Sequence, residues 1–259
     1  RSVREPSSLD MVNPPLDVKG LLNEYVQVFR NKSFRQYFFM SVAYQFSTGF
    51  YNNTKVYYIK YLANQYSLYA VHNAIAGVAE AAAFPLNYAL TMKHGKKKCG
   101  NIVTPLMVAG LAIGLIMQPE GSGASKYLWI ALMIFSMILY PFGMSGLGFV
   151  STNVFPDLTD VDEAITGRRR EGVLSTFNTL IKKSVGGVMT ALVGFALGGF
   201  GLVTGDTVTE YEKAHGSLYP QTSTAVFGVR VCVAIIPIVA AIIALYLLQR
   251  FKMTKGDHT

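Results

Sequence analysis

Apolar windows of about 20 residues, the length of helix that crosses roughly 30 Å of hydrocarbon, recur six times along this chain with short polar breaks between them. A backbone in hydrocarbon must satisfy its own hydrogen bonds, so each window reads as a transmembrane helix. The clearest windows are 101–118, 127–150, 173–200 and 226–248. The window at 68–91 is rich in small residues. The one at 36–62 carries so many tyrosines and polar residues that it suits a helix facing other helices and a wet cavity. The expected fold is an all-α membrane protein of six transmembrane helices: a polar stretch at 1–32, a bundle at 33–250 and a tail at 251–259.

Lysine and arginine placement tests that arrangement, because cytoplasmic loops carry the excess. With six spans, one side holds Arg1, Arg4, Lys19, Arg30, Lys32 and Arg35, then Lys93 with Lys96, Lys97 and Lys98, then Arg168, Arg169 and Arg170, and finally Arg250, Lys252 and Lys255. The other side holds Lys60, Lys126 and Lys213. Both ends are therefore expected in the cytoplasm. The formal net charge of +8 is explained by orientation, with no nucleic-acid partner. The start, RSVREPSSLDMVNPPLDVKG, is polar and has no apolar signal core, so it reads as a linker within a longer polypeptide.

Only a few polar residues lie where the bilayer would be deepest. Starting the fifth span near Gly172, Lys183 falls about 16 Å deep, close to the midplane. Lys182 is beside it, pointing about 100° away. A lipid-facing lysine at that depth costs about 2.5–3.5 kcal/mol. At least one must therefore face a partner or water, in a structural ion pair or along a substrate or ion route. Lys183 shares its face with Thr176, Thr179, Gly187 and Thr190; Lys182 shares its own with Ser175, Asn178 and Gly186. Both faces suit a cavity lining.

Counted inward from Leu68, Glu80 is about 18 Å deep, the one acid well inside a span. It is expected either to pair with a lysine, to titrate as a proton-coupling group, or to be held neutral by a hydrogen bond. In the first span Asn52, Asn53 and Tyr57, with Tyr51, Tyr58 and Tyr61, combine amide groups with aromatic faces. Sugars need such surfaces, although an interfacial tyrosine belt also accounts for the last three tyrosines of the span.

Glycine pairs at Gly110/Gly114 and Gly194/Gly198 predict close helix packing. Pro85, Pro141 and Pro237 predict kinks, with a hinge beside Gly143, Gly146 and Gly148. Cys99 and Cys232 make neither a disulfide framework nor a zinc site, and His72, His94, His215 and His258 have no metal-ligand spacing. No paired catalytic carboxylates lie within the spans, and there is no His-Glu-x-x-His motif, so an enzyme is not expected.

The stretch FPDLTDVDEAITGRRREG at 155–172 resembles the Asp-x-x-Asp-Tyr-Gly-Glu…Thr-Gly-x-Arg-x-Glu-Gly loop of the glycoside-pentoside-hexuronide:cation symporters, a branch of the major facilitator superfamily that includes the melibiose permease. Asn52 with Tyr57, Tyr58 and Tyr61 is similar to that family's seventh helix, Asn178-Thr179-x-x-x-Lys183 to its eleventh, and Gly228-x-Arg230 with Pro237 to its twelfth. The resemblance covers residues from about 20 to 255. It implies helices 7–12 of a twelve-helix fold, with residues 1–32 as the central cytoplasmic loop and the N-terminal six-helix half as a missing partner.

The same resemblance implies a function, symport of a glycoside or oligosaccharide with a sodium ion or a proton, without any other cofactor or metal. It implies a bacterial inner membrane as the setting. By the same match, Lys183 takes a position near both the sugar and the cation sites, and Asp157, Asp160, Asp162, Glu163, Arg168, Arg169, Arg170 and Glu171 belong to a cytoplasmic gating region. Two departures are informative: the family's Tyr-Gly-Glu is Val161-Asp162-Glu163 here, and the sugar-packing tryptophan of the tenth helix is replaced at about Gly148, Trp129 lying near that helix's start. Transport of another amphiphile such as a lysolipid, or sugar sensing without transport, stands as the alternative.

Overall fold

The computed structural model describes residues 26–62, 69–116, 124–166 and 171–251. Every regular element among them is a helix. After a short helical segment at 26–30, α1 spans Lys32–Tyr57 and runs into a π turn at Tyr58–Leu62. Its start is set by Asn31, whose side chain accepts a hydrogen bond from the Ser33 N–H at 3.0 Å, satisfying one of the free donors of a first turn.

Next come α2 at Tyr69–His94 and α3 at Lys96–Ile116. Gly95 separates them with a φ of 79°, a conformation that glycine adopts without strain. Then follow α4, Ala124–Thr166, and α5, Glu171–Gly199. The end of α5 is a Schellman stop: the Gly201 N–H reaches the Gly198 carbonyl and the Leu202 N–H the Leu197 carbonyl, with Leu202 and Leu197 both buried. A short amphipathic helix, α6 (Asp206–His215), leads to α7, Ser223–Arg250. Thr222 caps α7 by accepting from the Ala225 N–H. A π turn at Val231–Ile235 interrupts it just ahead of Pro237, where the missing proline N–H already breaks the hydrogen-bond ladder.

Among the described residues four helices are long and apolar enough to cross a membrane: α3, α4 over Tyr127–Glu163, α5 and α7. With 26 residues each, α1 and α2 extend for about 39 Å, but their polar content keeps them below the same apolarity. The described residues of all six expected windows lie mainly on helices. In α4 the helix runs 43 residues, well past the expected span at 127–150, so most of the acid-rich motif read as a loop is helical through Thr166. Pro156 does not stop it, and alanine and acidic residues continue it.

The main contacts place α2, α4, α1 and α5 side by side in one layer, with α3 and α7 behind. The core between them is built on Phe34, Tyr37, Met40, Met107, Leu111 and Tyr140. The α3–α4 contact explains Gly110 of the first glycine pair, whereas a Cβ on Gly114 would meet only the Tyr58 side chain, at an ordinary 3.7 Å. A Cβ on Gly110 would lie 2.6 Å from the Tyr140 backbone nitrogen, and one on Gly143 would overlap the Met107 nitrogen and sit 2.5 Å from the Val103 carbonyl oxygen. Backbone approach this close requires glycine. Gly194 and Gly198, in contrast, meet no atom of this chain within 4 Å, so the close packing expected at that pair is not formed inside this bundle.

Candidate functional site

The face of α5 on which the lysines lie is uncovered. Lys182, Lys183, Thr176, Thr179 and Thr190 are all exposed, and an added Cβ at Gly186 or Gly187 would meet nothing within 4 Å. The three threonine hydroxyls donate back to the carbonyls of Gly172, Ser175 and Gly186, at 2.9, 3.0 and 3.4 Å. Such back-bonding lets a hydroxyl exist in a helix without losing its acceptor lone pairs. Elsewhere on α5 the contacts run to α1 and to the segment before it. Asn178 turns towards α1 and accepts from the Tyr37 hydroxyl at 3.2 Å, and Phe177 packs on Phe29 and Phe34.

At the other end of the layer, on α2, Glu80 is exposed. Its charge acts on Tyr44 of α1 and Tyr140 of α4. The helices carrying Glu80 and the lysines flank the layer, so the structure does not bring Glu80 and Lys183 together as an ion pair. Between them, Asn52 is exposed, while Asn53 and Tyr57 are half-buried. The Asn53 amide donates to the Gly49 carbonyl at 2.8 Å. Tyr51 lies against Tyr140 with ring centroids 3.8 Å apart.

Gly148 of α4 faces Tyr44. A side chain at Gly148 would overlap the Tyr44 hydroxyl, which donates to the Met144 carbonyl at 3.3 Å. A ring from α1 therefore occupies the space in which an aromatic side chain from α4 would have to start. Sequence reasoning missed Tyr44, since nothing in the spacing of the first window separates it from its neighbours. It also missed Lys55, which donates to Asn73 at 2.8 Å; a cation inside a span was the available signal.

The acidic end of α4 is the second cluster. Asp157 forms an ion pair with Lys96 at 2.6 Å, tying the start of α3 to the end of α4. Asp162 is buried and accepts from the Asn31 amide at 3.4 Å. Asp160 is exposed, and Glu171, also exposed, opens α5, where a negative charge is favoured by the helix dipole. Arg168, Arg169 and Arg170 lie outside the described residues. Lys96 and Asn31 were not among the expected gate residues, although the run KKK at 96–98, opposite in sign to the acids, pointed to such a partner.

At the far end of the bundle, Lys60 bridges both carboxylate oxygens of Glu212 on α6 at 2.8 Å, and the Tyr219 N–H reaches the same carboxylate at 3.2 Å. Partial burial pushes the Glu212 carboxyl upward. The hydrogen bonds from Lys60 and Tyr219, together with the lysine charge, outweigh it and hold the group below its ordinary value. A carboxyl lowered on folding contributes its stability above the unfolded pKa and loses it as pH falls through the folded one. In thermal unfolding, Glu212→Gln should therefore lie below the parent at pH 7, by no more than about 1 kcal/mol, and the two should converge below about pH 4. A gap that persists in acid would assign the tie to packing instead.

Residues 16–255 match the family described as MFS/sugar transport protein. An uncharacterized symporter of Synechocystis sp. is 28% identical over 144 residues, a region that covers 53% of this chain and 25% of the relative. The matched part thus spans about a quarter of that relative's length. No solved structure matches the chain significantly.

Proposed function

The chain belongs to the MFS/sugar transport protein family, and we propose that it is the C-terminal six-helix half of a cation-coupled sugar symporter that works by alternating access. In this reading α1, α2, α3, α4, α5 and α7 are helices 7–12, residues 1–32 are the central cytoplasmic loop, and both ends of the chain are cytoplasmic. The substrate is a glycoside or oligosaccharide, coupled to sodium or a proton.

The observation that carries the proposal is the uncovered polar face of the front layer. Lys183 with its threonines on α5, and Glu80 on α2, are exposed on this bundle, yet the sequence places them near the midplane. Charges there are tolerated only against protein or water. A second six-helix bundle facing this one across a wet cavity supplies both, and transporter sites at the interface of two repeats have this form. The amides and rings of Asn52, Asn53 and Tyr57 on α1 offer hydroxyl partners and C–H surfaces. Asp157 with Lys96 and Asp162 with Asn31 then hold the cytoplasmic end of the bundle until the cavity opens there.

The test is uptake of radiolabelled sugars, melibiose among them, into vesicles containing the full-length protein, with and without an inward sodium or proton gradient. Gradient-driven accumulation is expected. Saturable binding without accumulation would make the protein a sensor, and uptake of a labelled lysolipid in place of every sugar tried would move the substrate class.

A further inference from the structure

The start of α3 and the end of α7 meet at one edge of the bundle, where polar groups clasp them. The Gln249 amide donates to the Lys97 carbonyl and to the Asn101 side-chain oxygen, and the Lys97 ammonium donates back to the Gln249 carbonyl, all at 3.1 Å. Beside the clasp the two helices are in close contact, since a Cβ on Gly100 would lie 2.5 Å from a Leu248 methyl carbon. Asn101 is exposed and Gln249 half-buried, so the clasp lies on the outer side of the seam.

Two exposed cations flank it: Lys98, next to Lys97, and Arg250, next to Gln249. The Arg250 guanidinium is held 5.0 Å from the centre of the Tyr246 ring, one turn back, a cation–π contact that fixes its position and leaves its N–H fork open. With Lys97, three positive charges meet at one seam. Neither α3 nor α7 contains an aspartate or glutamate, and Asp157, the acid at the start of α3, is taken by Lys96. Among the described residues no carboxylate pairs with Lys97, Lys98 or Arg250.

Towards the middle of the bundle the same surface turns apolar. Residues three or four apart share a helix face. On α3 the face of Lys98 continues as Ile102 and Pro105, and on α7 the face of Arg250 continues as Tyr246, Ile243 and Val239, all exposed. A free phosphate would use the charges alone, and a zwitterionic headgroup brings a cation of its own. An anionic phospholipid uses both parts of the surface, because arginine and lysine hold its phosphate and the apolar faces hold its chains.

We propose that the outer seam between α3 and α7 binds one anionic phospholipid, with its phosphodiester against Arg250, Lys98 and Lys97 and its acyl chains along the exposed apolar faces of the two helices. The inference needs a protein in a bilayer and does not depend on the transport reading.

The experiment is thermal unfolding of the purified full-length protein in detergent at fixed ionic strength, titrated with short-chain phosphatidylglycerol, with phosphatidylcholine of the same chain length, or with glycerol phosphate. A melting temperature that rises with the logarithm of phosphatidylglycerol concentration is expected, with little response to the other two. An equal response to phosphatidylcholine would overturn the role of charge, and an equal response to glycerol phosphate would overturn the lipid in favour of a soluble anion. Arg250→Gln should raise the phosphatidylglycerol concentration needed by roughly fivefold, whereas Lys93→Gln, which removes an exposed charge from α2, should leave it unchanged. Equal shifts for the two variants would reduce the effect to overall charge and overturn the site. Should Arg250→Gln fail to fold, Lys98→Gln supplies the same comparison.

Discussion

Lys183→Gln in the full-length protein is expected to lower gradient-driven uptake by roughly 100-fold, whereas Lys182→Gln lowers it by less than about tenfold. Truncating one member of a buried charged contact costs about 2–5 kcal/mol, and each 1.4 kcal/mol is about tenfold. The difference between neighbours follows from direction. The Lys183 stripe carries Thr176, Thr179 and Thr190, with their hydroxyl protons already given to the backbone and their lone pairs open. The Lys182 stripe includes Asn178, already engaged by Tyr37. Initial rates measured with matched surface expression decide the matter. The reverse order of losses would overturn the placement of the site on the threonine stripe.

Gly143→Val should destabilise the protein by about 3 kcal/mol or more, at the upper end of overpacking costs. The new Cβ alone would meet the Met107 nitrogen and the Val103 carbonyl, both backbone atoms of α3 that no rotamer change can move aside. Gly77→Ala on α2 is the control: nothing of this chain lies within 4 Å of its added Cβ, and alanine favours helix by up to about 1 kcal/mol. Fluorescence-detected unfolding in detergent should show a large drop for the first and none for the second. Equal stability of the two variants would mean that α3 and α4 are not held at backbone contact.

Each apolar window carries helix among the described residues, because length and hydropathy are summed over about 20 residues and tolerate local noise. Packing of Gly110 was readable from spacing, yet the same spacing at Gly194 and Gly198 leaves both glycines open. A small-residue repeat states that close approach is possible and cannot say which bundle makes it. The continuation of α4 through the acidic motif was missed because turn-forming residues such as Pro156 and Asp157 obscured a helix supported by packing, in which Leu158 and Asp162 are buried. For the candidate site, the lysines and threonines of α5 were found from periodicity, and they lie exposed on this bundle. Lys96 as the partner of Asp157, and Tyr44 against Gly148, were not, since pairing between helices depends on rotation angles that one helix's sequence does not contain.

The 43 residues of α4 also make a lever. About 21 Å of helix separates Gly143, pressed on the α3 backbone, from Asp157. A rigid tilt of about 10° around that contact would carry Asp157 through about 4 Å. The Lys96–Asp157 pair closes at 2.6 Å and cannot stretch over such a sweep. A modest rotation at the fulcrum would therefore be enough to break the pair at the tip.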